Sequence, residues 1–283
     1  MRKKWSEWIG FLFLYLAGIL VLFFLGVILF DIFSKGIHVI SWEFLTKAPR
    51  EGMTEGGIFP AILGTFLVSL ITVFFAVPMG MFAAIFLHEY ARAGKMTRLI
   101  RLAIRNLSGV PSIVYGLFGV VLFVQMMQFG TSILSAGLTL GLLTLPWTIT
   151  ACEEALKTVP KSYREGALAL GATKWYAIRT NVLPYAIPGM LTGVILGLAR
   201  AAGETAPILF TGAAFFLPHL PKSLFDQFMA LPYHLYILST QHQAIEKVRP
   251  IAYGTALVLL GLILLLNLSA IVVRYHYRKK MKG

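Results

Sequence analysis

Residues 153–184 read EEALKTVPKSYREGALALGATKWYAIRTNVLP, a charged island of 32 residues between long apolar stretches. Its local signals predict a short helical hairpin. Pro160 can open a helix in its first turn, where no backbone donor is lost. Ser162 to Leu170 supplies good helix formers, and Gly171 suits a left-handed C-terminal cap. Thr173 can cap a second helix, which is expected to stop near Leu183 because Pro184 follows. A helix of roughly ten residues is about 15 Å long. That is enough to plug into another protein and too short for a domain. Taken alone, the island is either such a plug or a solvated hairpin with no partner.

The island stands out because the rest of the chain is apolar. Of the 283 residues, 58% are hydrophobic and 13% charged, against about 25% charged in soluble proteins. The apolar residues fall into runs long enough to cross a bilayer, for which about 20 residues suffice. The chain is therefore all-α and polytopic in the membrane. Its net charge of +13 does not point to nucleic acid, because the basic residues flank apolar runs and form no face interleaved with aromatics. The charge reads as a topology signal. Cys152, the single cysteine, excludes an intrachain disulfide and a multi-cysteine metal site. The first apolar run, Ile9 to Phe30, has no A-x-A-like site after it and reads as a retained span.

Spans are expected at about 9–30, 61–87, 108–128, 132–152, 185–211 and 251–273, all in one membrane domain covering 1–283, with 153–184 as a cytoplasmic loop. Pro60 and Pro78 are expected to shorten or kink the second. Leu107 to Cys152 is uncharged for 46 residues, room for two spans joined by a turn near Gly130. The segment from His88 to Asn106 carries Arg92, Lys95, Arg98, Arg101 and Arg105 against one acid, Glu89. With the N-terminus inside, the inner segments hold eighteen Lys and Arg and the outer segments six. This split favours six spans with both termini cytoplasmic over seven, which would put the basic tail outside. The last outer segment, 213–250, contains Pro218, Pro221, Pro232 and the apolar run Met229 to Leu238; it is either a short interfacial or re-entrant helix or an irregular loop. No internal repeat or low-complexity linker is visible.

Arg200 and Glu204 are the informative charges, because each costs about 2.5–3.5 kcal/mol at the centre of a membrane helix. At i, i+4 they are expected to share a helical face and to neutralise each other in part. Gly193 and Gly197 fall on that face and would let another helix approach, so the face should point into protein or a pore. Two readings stand: an ion pair that pins the fifth span, or a site for an anion in transit. A guanidinium matches tetrahedral oxyanions. A carboxylate beside it can accept a hydrogen bond from an oxyanion that keeps a proton, such as hydrogen phosphate, and would repel fully ionised sulfate.

Glu165-Gly166-Ala167, then Gly171, then Leu183-Pro184 twelve residues on, resembles the EAA loop of ABC-importer permeases, whose pattern is E-A-A, three residues, G, nine residues, I, one residue, L-P. Gly166 and Asn181 depart from it. The stretch Arg200-Ala-Ala-Gly-Glu-Thr-Ala-Pro-Ile-Leu-Phe-Thr-Gly212 resembles the fifth span of phosphate-importer permeases, the PstA type in particular, as do Glu55-Gly56-Gly57-Ile58 and Met229-Ala230-Leu231-Pro232. The resemblance covers most of the chain from Glu55 to Pro250. It implies a type I, MetI-like permease fold in a bacterial or archaeal cell membrane, with membrane lipid around it. It implies Arg200, Glu204 and Thr205 on the substrate pathway, and Glu165, Gly166, Ala167, Gly171, Leu183 and Pro184 in coupling to an ATPase. The implied partners are a second homologous permease (PstC type), two copies of an ATPase (PstB type) and a periplasmic or lipid-anchored phosphate-binding protein. ATP would be used by the ATPase, with no cofactor on this chain.

The chain has no G-x-x-x-x-G-K-[ST] motif, so a P-loop is excluded and the chain is not expected to be an enzyme. No Ser-His-Asp or paired-carboxylate pattern stands out, and the histidines show no metal spacing. His234 and His242 are expected to be solvated or interfacial. Glu153-Glu154 reads as charge at a helix N-terminus, and Trp5, Trp8, His88, Tyr90 and Tyr275 as interfacial anchors. The alternatives are a permease for sulfate, molybdate or phosphonate in the same fold, and a membrane enzyme or stand-alone secondary transporter. The last commonly shows repeats and would leave the hairpin without a purpose.

Overall fold

A computed structural model describes residues 2–280 except 218, and no side chains at 2–7, 9 and 278–280. Pro218, Lys282 and the side chains of Arg2, Lys3, Lys4 and Trp5 thus lie outside the described residues. Helix α1 (Arg2–Gly36) leads into α2 (Trp42–Thr46) and two short antiparallel strands, β1 (Pro49–Arg50) and β2 (Glu55–Gly56). Then follow α3 (Phe59–Ile85), extended by a widened π-type turn at Phe86–Tyr90, and α4 (Lys95–Leu107). Next is α5 (Ser112–Gly119), extended by a second π-type turn at Val120–Met126, and then α6 (Ile133–Lys157). The island forms α7 (Lys161–Ala169) and α8 (Lys174–Ala177), which continues into α9 (Leu183–Ala201). The chain ends with α10 (Ala206–Thr211), α11 (Leu231–Thr240) and α12 (Ile245–Lys280).

Five described stretches are long and apolar enough to cross a membrane: Gly10–Val39, Phe59–Tyr90, Ile133–Lys157, Lys174–Ala201 and Ile245–Tyr277. The sixth is the bent pair Lys95–Leu107 and Ser112–Met126, whose axes meet at 102°. Pro111 disfavours helix at Val110 and separates the two. The part aligned as a span is therefore Ser112–Met126, about 22 Å at 1.5 Å per residue, and α4 lies across it.

Helix α6 is the axis of the bundle, packed between α3 and α9 with α5 and α10 alongside. Between apolar helices in lipid the attraction is van der Waals packing, so close approach at small residues matters more than apolar area. A Cβ built on Gly193 would stand 2.2 Å from Ala151 Cβ on α6, and one on Gly141 would stand 2.5 Å from Phe75 on α3. Side chains there would push the helices apart. At the inner end, Ile85, Cys152, Leu156, Ile178, Val182 and Met190 form one buried cluster; at the outer end, Val68, Ile133, Leu140, Ile208 and Phe228 form another.

The outer loop is tied into the bundle by its backbone. Ile133 and Leu134 open α6 with N–H groups that donate to the Asp226 and Leu224 carbonyls, at 3.0 and 2.9 Å. Leu231 N donates to Thr65 Oγ1 at 2.8 Å. Helix α11 packs on α12 and α3, while α1 touches the bundle mainly along α12 and leaves its other faces bare for lipid.

Two sequence expectations need correction here. The second helix of the island does not stop near Leu183: it runs from Lys174 through Pro184 to Ala201. A π-type turn at Ile178–Val182 widens the helix just before the proline, making room for a ring that would otherwise strike the carbonyl four residues back. The fifth span, in turn, is not one helix over 185–211. It breaks after Ala201 and resumes at Ala206. Pro207 has no N–H for the Gly203 carbonyl and its ring clashes there, so the helix yields at the glycine upstream.

Candidate functional site

The break places Arg200 in the last turn of α9 and Glu204 beyond it, in non-helical chain. The expectation of one shared helical face is corrected accordingly. The two still meet, with Arg200 Nε 3.5 Å from Glu204 Oε1 across the turn. That turn is closed by Gly203 N to Arg200 O and Glu204 N to Ala201 O, at 3.2 and 3.1 Å. Thr205 stands at the start of α10 without a side-chain capping bond. Gly193 meets Ala151 on α6, and Gly197 approaches Thr148, so small residues seat α9 on α6 just below the charges.

Depth and exposure distinguish this site. The Arg200 guanidinium lies over the Trp147 ring, 5.2 Å from its centroid. Trp147 is 14 residues into α6 (Ile133–Lys157), about 21 Å from its outer end at 1.5 Å per residue, so the pair sits near mid-membrane. Yet half of the Arg200 side chain is exposed, against 17% for Glu204. A half-bare arginine side chain at that depth is costly against lipid. This face therefore borders another protein chain or water.

The hairpin is a second constellation. Helix α7 ends on Gly171 at φ +81°, with Ala172 N bonded to Ala167 O and Gly171 N to Leu168 O. This paired pattern closes a helix at a left-handed residue. Thr173 Oγ1 accepts from Tyr176 N at 3.3 Å and opens the next helix. Glu165 and Gly166 are exposed, Ala167 is buried, and Leu183 and Pro184 are half-buried. Leu168, Leu170, Trp175 and Tyr176 leave an apolar surface at the hairpin tip, with Leu170 90% exposed.

The sequence reading missed what fastens the hairpin. Arg164, next to Glu165, donates from Nε and Nη2 to the Glu89 carboxylate, closest at 2.6 Å, and from Nη1 and Nη2 to the Val159 and Leu156 carbonyls at 3.0 and 3.2 Å. One guanidinium thus joins α7, the end of α6 and the inner end of α3. Beside it, Arg101 of α4 meets Glu153 at 2.7 Å and donates to Leu87 O at 2.9 Å. The available signal was Glu89 as the lone acid among five basic residues. Glu153 and Glu154 are corrected as well. They lie in the last turns of α6, where a negative charge opposes the helix dipole; Arg101 and Lys157 offset it.

Among the described residues, no group of three or more His, Cys, Asp and Glu converges as a metal site. His234, expected to be solvated or interfacial, is 2% exposed, and its Nδ1 has no hydrogen-bond partner. Burial, with the nearby His242 as a smaller cause, pushes its pKa down to about 4. His242 is half-buried; its Nδ1 accepts from Ala244 N, and its other ring nitrogen donates to Gly52 O at 2.7 Å.

Comparison with known proteins agrees with this architecture. The family model for the binding-protein-dependent transport system inner membrane component matches residues 76–283. A probable ABC transporter permease protein, YqgI, of Bacillus subtilis (strain 168) is 34% identical over 267 residues, covering 90% of this chain and 88% of the relative. The phosphate transport system permease protein PstA of Mycobacterium leprae (strain TN) is 31% identical over 288 residues, covering 100% of this chain and 93% of the relative. Among solved structures, a bacterial ABC transporter involved in the import of the acidic polysaccharide alginate superposes with a TM-score of 0.68 at 14% identity, over 96% of both chains. An inward-facing MetNI methionine ABC transporter gives 0.58 at 16% identity, over 78% of this chain and 94% of the other. These two likenesses show the fold. With the family model matched over most of its length, this multi-pass membrane chain belongs to the family of binding-protein-dependent transport system inner membrane components.

Proposed function

We propose that this chain is the PstA-type permease subunit of an ATP-driven phosphate importer, forming half of the translocation pathway. The observation that carries the reading is Arg200: a half-exposed arginine side chain near mid-membrane, its guanidinium backed by Trp147 and reached by Glu204. Such a face calls for a second protein wall. In an importer of this family that wall is a homologous permease of the PstC type, with the ion passing between the halves. The fixed planar donors of Arg200 suit a tetrahedral oxyanion. The Glu204 carboxylate accepts a hydrogen bond from hydrogen phosphate, which keeps its proton, and repels an ion with none to donate. The relatives named PstA support phosphate as the cargo.

Energy comes from outside the chain. The exposed tip of the hairpin is a surface for a PstB-type ATPase dimer, which hydrolyses ATP; this chain is neither enzyme nor cofactor carrier. A periplasmic or lipid-anchored phosphate-binding protein delivers the ion on the outer side of a bacterial or archaeal cell membrane. In this reading Thr205 lines the path with Arg200 and Glu204. Glu165, Gly166, Ala167 and Gly171 form the docking helix and its cap, and Leu183 and Pro184 carry the motion into α9.

A selectivity assay tests the proton-based reading. Glu204→Gln removes the charge that repels sulfate, so sulfate is expected to compete with labelled phosphate about tenfold better than in wild type, the equivalent of about 1.4 kcal/mol. Unchanged competition in cells with matched membrane levels would contradict the role given to Glu204.

A further inference from the structure

Helix α4 is not used by the pathway or by the hairpin tip. It has no buried residue along its 13 positions, and it carries four basic residues, Lys95, Arg98, Arg101 and Arg105, with no acid. At about 100° per residue these separate into three sides. Thr97, Arg101 and Ile104 are partly covered against the bundle, where Arg101 holds Glu153. Met96, Leu99, Ile100 and Leu107 form an apolar side, each 41–71% exposed. Roughly opposite, Arg98 and Arg105 join Arg101 around a groove of about 390 Å³ whose floor includes Ala93, Gly94 and Thr97.

The orientation gives these sides a meaning. Because α4 stands at 102° to the span that follows it, it runs along the plane of the membrane at its cytoplasmic surface. A helix so placed sinks its apolar side to the acyl boundary and holds its basic side at the level of the phosphates. Arginine pairs with a phosphodiester through two parallel N–H donors.

We propose that α4 is an interfacial helix whose Arg98–Arg105 groove binds the headgroup of an anionic phospholipid of the inner leaflet. The occupant is argued from charge complementarity, from the right-angle bend and from the apolar side on the opposite face, which seats the helix in the membrane. A soluble anion would not need that apolar side. A lipid held there fastens α4, and through Arg101 it steadies Glu153 at the root of the hairpin. The inference rests on membrane insertion alone and is independent of which ion the transporter carries.

The assembled transporter, reconstituted in nanodiscs of phosphatidylcholine mixed with phosphatidylglycerol, tests the proposal by native mass spectrometry of retained lipid. Wild type is expected to retain phosphatidylglycerol over phosphatidylcholine. The variant R98Q/R105Q should lose that preference by on the order of 20-fold, at about fivefold per arginine. R98K/R105K keeps the charge but not the paired donors and should keep part of the preference, and it serves if the glutamine variant fails to assemble. Equal retention by wild type and R98Q/R105Q would overturn the site, as would equal loss in R98K/R105K. Displacement of the lipid by excess inorganic phosphate would overturn it in favour of a soluble anion. A photo-cross-linker at Met96 should label lipid; labelling of the ATPase or of a second permease instead would overturn the interfacial placement.

Discussion

Arg200 and His234 show how burial and charge decide what one residue does. Arg200 keeps half of its side chain bare near mid-membrane, as a residue facing a second subunit would; Trp147 holds the guanidinium in place by cation–π attraction without neutralising it. His234 is the reverse case, an ionisable ring with only 2% of its surface exposed. Its pKa of about 4 lies below the ordinary 6.5, so the unfolded chain takes up the proton first as pH falls. Stability from the neutral ring is full above about 6.5 and is lost progressively down to about 4, by roughly 3 kcal/mol. The thermal midpoint of the purified complex should fall over that range, and His234→Phe should flatten the fall. An identical pH profile in the variant would count against this assignment. Nothing at the residue level of the sequence separated His234 from His242; burial depends on how α11 lies on α12 and α3.

At the scale of elements, the Arg164–Glu89 pair links the hairpin to the bundle. With 17% and 5% of their side chains exposed, they resemble the buried pairs whose one-sided removal costs about 3–5 kcal/mol. Glu89→Gln or Arg164→Met should therefore raise the ATP hydrolysed per phosphate imported, and the double variant should be less damaged than the sum of the two. Additive effects, or an unchanged ratio of hydrolysis to uptake, would reduce the pair to a local brace. The hairpin itself was legible because its signals are local: Gly171 supplies the left-handed cap and Thr173 the next start. The helix break at Ala202–Thr205 was not, since the residue responsible, Pro207, acts on a carbonyl four positions upstream. For the same reason Pro184 read as a stop, although a widened turn lets the helix pass it. Glu153 misled because the end of an apolar run is not the end of a helix.

For the whole molecule, the membrane-crossing helices were legible from apolar run length, because the bilayer dictates it. The arrangement of those spans around α6 was not, since helix contacts in lipid depend on where small residues face each other. In the proposed importer, Arg200 stands on the path of an anion shared with a second subunit. The most direct test is labelled-phosphate uptake by cells carrying the wild-type chain or Arg200→Ala, with membrane levels and co-purified ATPase matched. The account predicts loss of uptake, by on the order of a hundredfold if the lost charge-assisted bonding is worth about 3 kcal/mol, in a complex that still assembles. Uptake at the wild-type rate would contradict it, leaving Arg200 and Glu204 as a structural pair at a helix break.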